Sequence, residues 1–159
     1  MKRRERLLLL FSLLLLVCFA AAQWDARGKG KHRPERLGPA EGNELLRHFE
    51  VMNPGKEVLK YAMQDLNNDG REDLVVIYRV SPEKNMMRVV LDLGGRFAET
   101  NEVPAPYSNQ VISFRDIDNK PPIEIVVQGT REAKFGYAIF RVEGMQLNNL
   151  FGEGMEGCC

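Results

Sequence analysis

Three hydrophobic patterns succeed one another along this chain. Residues 7–16 are a nearly unbroken apolar run, preceded by Lys2, Arg3, Arg4 and Arg6 and followed by the small residues Ala20, Ala21 and Ala22. A basic start, a short apolar stretch and a small-residue site predict a secretory signal peptide over residues 1–22, cleaved near Ala22. The run is short for a membrane span of about 20 residues. Lipid anchoring at Cys18 ranks second, because Val17 stands where a small residue is needed before the acylated cysteine. From Asn43 the spacing turns helical: Leu45, Leu46, Phe49 and Met52 share one stripe, Asn43 offers an N-cap, and Asn53-Pro54-Gly55 stops the helix. A short helix on the end or edge of a sheet is expected.

Beyond it the pattern is β. Residues 58–63, 74–80, 86–93 and 97–103 are rich in β-branched and aromatic side chains with partial alternation, and turn residues such as Gly94-Gly95 separate them. Pro104-Ala105-Pro106 breaks the chain. A second set follows at 110–115, 125–128, 136–142 and 145–151. The fold class expected is mainly β: two blade-like antiparallel meanders with a short N-terminal helix, in one domain over residues 43–151. Two sheets packed face to face would bury both apolar sides.

The first two strands are joined by Asp65-Leu66-Asn67-Asn68-Asp69-Gly70-Arg71-Glu72-Asp73-Leu74. Asp65, Asn67, Asp69 and Asp73 occupy its first, third, fifth and ninth positions. In a tightly wound loop these can converge on one hard cation, with the backbone carbonyl of Arg71 completing a calcium set. Gly70 permits the sharp turn. Carboxylates so crowded repel one another unless a divalent ion neutralises them. An EF-hand would place a bidentate Glu at the twelfth position, which here is Val76. The competing reading is an Asx-rich hairpin that binds nothing. With a strand on either side, the segment resembles the FG-GAP or VCBS repeat, whose D-x-[DN]-x-D-G-x-x-D-L loop joins two strands of a propeller blade; the resemblance implies bound calcium.

Asp116 stands about 50 residues after Asp65, a period in the range of blade repeats. In this second loop Asp116, Asp118 and Glu124 keep the first, third and ninth positions, while Lys120 replaces the fifth-position acid and Pro121 the glycine. The Lys120 ammonium is expected among the three carboxylates as a built-in counter-ion. Two blades cannot close a propeller, so an incomplete propeller or a sandwich is expected.

Charge narrows the function classes. Residues 1–22 remove four cations against the single acid Glu5 from a chain of zero net charge, leaving a mildly acidic remainder. Its one basic cluster, Arg27, Lys29, Lys31, Arg33 and Arg36, is interleaved with Gly28, Gly30 and Pro34 and reads as a flexible linker over residues 23–42. No basic face for nucleic acid is expected. Of the two histidines, His32 falls in that linker and His48 on the helix without a motif partner, so no catalytic constellation stands out and the chain is not read as an enzyme.

Residues 152–159 form a glycine-punctuated tail, expected to be flexible and to pack no core, ending in Cys158 and Cys159. After cleavage these are the last two of three cysteines, too few for a disulfide framework. Thiolates select soft over hard metals. An exported chain ending in Cys-Cys resembles the Cys-Cys-COOH (seleno)protein family of selenocysteine-assisted organometallic metabolism, and is similar to the terminal cysteine pair of mercuric reductases. The resemblance implies that Cys158 and Cys159 capture a soft heavy metal or organometal and pass it to a membrane transporter or lyase. The alternative is a non-catalytic, calcium-binding VCBS-type interaction module. Oligomeric state is not set by these patterns.

Overall fold

The computed structural model describes residues 42–159; the signal-peptide segment and nearly all of the basic linker lie outside the described residues. Helix α1 (Glu44–Met52) leads into β1 (Glu57–Gln64), β2 (Asp73–Ser81), β3 (Lys84–Asp92), β4 (Phe97–Glu99) and β5 (Val103–Ala105), then β6 (Ser108–Arg115), β7 (Glu124–Arg131), β8 (Lys134–Glu143), β9 (Gln146–Glu153) and a single helical turn, α2 (Met155–Cys158). β1 to β4 form one antiparallel meander and β6 to β9 another. The mainly-β, two-meander expectation is met.

The two sheets lie face to face. One apolar cluster takes Val75, Ile77, Met87, Val89 and Leu91 from the first sheet and Ile112, Ile125, Val127, Ala138, Phe140 and Val142 from the second. A second cluster lies on the opposite side of the first sheet, where Leu45, Leu46 and Phe49 of α1 meet Leu74, Val76, Tyr78, Met86 and Val90. The first sheet is therefore the middle of three layers. That explains the unbroken apolar run of β2: alternate side chains face alternate layers and both faces are dry. The helix lies across the sheet's face, not at its end or edge as its spacing had suggested. Asn43 Oδ1 caps it by accepting from Leu46 N (3.1 Å), and Asn53 Nδ2 ties its far end to Glu99 Oε1 (2.8 Å).

The fourth strand of the first sheet is split. β4 pairs with 90–92 of β3 and β5 with 85–87. At the break Thr100 supplies both missing ladder partners: its amide donates to Val89 O (2.9 Å) and its hydroxyl oxygen accepts from Val89 N (3.0 Å). Pro104, expected to break the chain, sits within β5 opposite Met86. An edge strand tolerates proline because its missing N–H would have faced away from the sheet. The crossover that follows is pinned by buried Asn85, whose Nδ2 donates to the carbonyls of Pro106 (3.0 Å) and Tyr107 (2.9 Å).

β7 and β8 are longer than their apolar stretches indicated and meet in a tight hairpin, with Gly129 directly opposite Gly136. A Cβ on Gly129 would lie 2.5 Å from Pro106 Cβ, so that glycine marks a close approach of the crossover and not a loop. The tail is a further correction. β9 continues through Glu153, and the Met155 side chain packs against the core between the sheets. A Cβ on Gly154 would lie 2.4 Å from Phe135 O, so the glycine lets the tail fold back against β8.

Phe49 is fully buried, its ring centroid 5.0 Å from that of Tyr78. Phe49→Ala opens a cavity between helix and sheet and is expected to cost about 3–5 kcal/mol, read as a lower urea midpoint at unchanged slope.

Candidate functional site

The two acidic loops are equivalent hairpin connections, the first joining β1 to β2 and the second β6 to β7, and their local chemistry repeats. In both, the ninth-position acid is buried and one of its oxygens accepts the backbone amide of the second position: Leu66 N to Asp73 Oδ2 and Ile117 N to Glu124 Oε2, each 2.9 Å. In both, the fourth position is an asparagine at positive φ, Asn68 and Asn119. A short amide side chain tolerates that region better than most residues. The fifth-position amide donates to the third-position side chain in each: Asp69 N to Asn67 Oδ1 (3.0 Å) and Lys120 N to Asp118 Oδ1 (3.0 Å).

The first loop closes on itself. Asp65 accepts from Asp69 N (3.2 Å) and Gly70 N (2.9 Å), and Asp69 accepts from Arg71 N (2.9 Å) and from the Arg71 guanidinium (3.3 Å). Asp73 Oδ1 accepts from Asp92 N (2.9 Å), so both its oxygens hold backbone amides beneath the loop. The bond from Arg71 N holds the Asp69 carboxyl below its ordinary range, while burial pushes Asp73 up to about 6 against the pull of its two amides. Asp65, Asn67, Asp69 and Asp73 share one loop, and each carboxylate accepts N–H donors as in an Asx-rich hairpin.

Among the described residues, the carboxylates close enough to share an ion are those of the second loop: ligand atoms of Asp116, Asp118 and Glu124 lie within 4.8 Å of one another. Their counter-ion is Arg141, near the end of β8, which pairs with Asp118 Oδ1 at 2.8 Å and with Glu124 Oε1. The bond to Arg141 holds Asp118 below its ordinary range. Lys120, the counter-ion expected from the sequence, is exposed and makes no ion pair among the described residues. Arg141 is 17 residues from Glu124 and carries no motif; only the strand pairing of β7 with β8 brings it there.

The cysteine pair closes α2. Cys159 is half-buried, with its amide donating to Met155 O (3.1 Å) and its Sγ 3.9 Å from Met155 Sδ. Arg131 Nη1 donates to Cys159 O (3.2 Å), and the same guanidinium lies 5.3 Å from the centre of the Tyr107 ring. The chain end is therefore held to the second sheet by an arginine that is itself stacked on the crossover. His48 lies edge-on to Phe97 at 5.4 Å. No protein-family profile, curated protein or solved structure matches this chain.

Two outcomes test this geometry. Arg141→Met leaves the Glu124 carboxylate buried without its cation and is expected to cost about 3–5 kcal/mol in urea unfolding. Native Asp73 keeps its proton up to about pH 6, whereas the unfolded chain releases it near the ordinary value of 3.8. Between those values the native state binds more protons, so its stability falls as pH rises through the window. Asp73→Asn, which cannot titrate, should abolish that part of the slope when urea midpoints are compared at several pH values. Excess calcium seated in the loop would abolish it too, by holding the carboxylate ionised.

Proposed function

We propose that this chain is an exported protein that binds a soft metal or organometal, of the mercury type, through Cys158 and Cys159 and hands it to a membrane transporter or a lyase. The observation that carries the reading is the half-exposed Cys159, whose carbonyl is held by Arg131. Soft cations bind thiolate sulfur in preference to the oxygen donors that dominate this surface. The cargo displaces the thiol protons to solvent, so capture strengthens as pH rises. The bond from Arg131 to the Cys159 carbonyl supports the reading by tying this segment to the second sheet. Transfer then proceeds by exchange of one sulfur ligand for another, without oxidation or reduction of the metal.

The test is a competitive titration of the reduced protein with mercuric ion under anaerobic conditions, comparing the natural chain with Cys158→Ser, Cys159→Ser. One tight equivalent, lost in the double variant, is the expected result. Equal weak binding by both would sink the reading and leave a non-catalytic interaction module. The surface such a module would use is the aromatic row of exposed Phe135 and Phe151 with half-buried Tyr137 between them, neighbouring ring centroids lying 6.4 and 5.6 Å apart.

A further inference from the structure

The end of the sandwich that carries both acidic loops is not closed over its core. A cleft of about 420 Å³ opens there between the sheets. Leu91 of β3 and Val142 of β8 are buried at its floor, and both belong to the cluster between the sheets. Above them stand half-buried Pro122 of the second loop and exposed Met145 of the turn between β8 and β9. The charged side chains that line the cleft are Asp69 and Glu143, one brought by each sheet, and both are exposed. Asp69 is paired with the Arg71 guanidinium (3.3 Å), which lies over Gly94 and does not line the cleft. Glu143 Oε2 accepts from Asn148 Nδ2 (2.7 Å).

We propose that this cleft binds a small organic cation, an ammonium group carried on an apolar body. The site is independent of the cysteine reading, because none of its residues lies in the tail. Its volume falls in the range of small-molecule sites, roughly 300–1,000 Å³, and an apolar hollow with a few polar groups at the mouth is how such sites are built. The sign of the charge selects the ligand. Two carboxylates at the mouth repel phosphates and carboxylates, and no lysine or arginine lines the cleft to hold an anion. An ion pair at an exposed rim is weak in water. The carboxylates therefore choose the sign, while a body that displaces water from Leu91, Val142 and Met145 supplies most of the affinity. A bare ammonium lacks that body and is not retained.

The experiment adds phenethylammonium chloride to the isotope-labelled full-length chain and follows the amide NMR shifts. Phenethyl alcohol serves as the same body without the charge, and methylammonium as the charge without the body. The natural chain is compared with the double variant Asp69→Asn, Glu143→Gln and with Met145→Ser. The amides keep an acceptor oxygen for Arg71 N and for Asn148 Nδ2, so the loop and the turn hold their bonds.

Saturable shifts at residues 67–69, 91–93 and 142–145 are expected with phenethylammonium. Its affinity should fall about threefold or more in the double variant, with the rest of the spectrum unmoved, and the alcohol should bind the natural chain more weakly by a similar factor. Met145→Ser, which thins the wall and leaves both acids, should weaken amine and alcohol alike. Equal affinity for the amine in the natural chain and the double variant would overturn the proposal, because the carboxylates would then select nothing. Methylammonium binding as tightly as phenethylammonium would overturn it by removing the hollow from the site. So would shifts confined to Phe135, Tyr137 and Phe151, which would put the ligand on the aromatic row instead.

Discussion

A buried carboxylate at the start of the second strand of each sheet is the interaction on which the rest of this structure depends. Asp73 and Glu124 each sit where a hairpin connection has turned its backbone inward, and each accepts the amide of the loop's second residue. A buried amide without a partner costs about 1–3 kcal/mol, and a buried carboxylate without donors costs more. Each group therefore needs the other, and together they fix the loop's curvature and the strand pairing that follows: Gln64 meets Asp73, and Arg115 meets Glu124. Register errors of one residue would carry the acid out of reach of its amide and turn every β2 side chain onto the wrong layer.

Much of this was legible in the sequence because the signals are local. Acid spacing, the Asn-rich turn, the β-branched runs and the helix cap are all read within a dozen residues, and the repeat spacing announced two equivalent units. What escaped depends on contacts distant along the chain. The counter-ion of the second loop was sought in Lys120, inside the loop, when it stands on β8 as Arg141. The helix was placed at the sheet's edge because its stripe says that it is half buried, not against what. The one available clue was that β2 has no polar alternation, which requires a covering layer on both faces. Gly129 and Gly154 are contact points where another segment passes too close for a Cβ, which nothing local in the sequence announces.

The tail shows the same limit in its sharpest form. Four of the last eight residues are glycine or methionine at positions that composition alone reads as slack: Gly152, Gly154, Met155 and Gly157. In the fold, Gly154 passes too close to Phe135 O for a Cβ, and the Met155 side chain packs against the core between the sheets. The result is that a segment with little intrinsic order becomes an extension of β9 and a helical turn, tied down by Arg131. Ordering such a segment costs conformational entropy, most of all at glycine. Burial of one methionine and one arginine bond against the chain end are the visible compensation.

The contrast between the two loops follows from where the cations are. Three carboxylates gather only if something positive holds them. In the second loop Arg141 supplies that charge from a neighbouring strand, and Asp116, Asp118 and Glu124 stay within reach of one another although the loop has lost the fifth-position acid and the glycine. In the first loop the residues match the repeat pattern at every position, and the Arg71 guanidinium pairs with Asp69 on an exposed flank. There Asp65 and Asp69 accept loop amides, and Asp73 lies buried beneath the loop. Ligand spacing in a sequence thus reports which oxygens could converge, and an arginine on the neighbouring strand can preserve a geometry that the motif itself has abandoned.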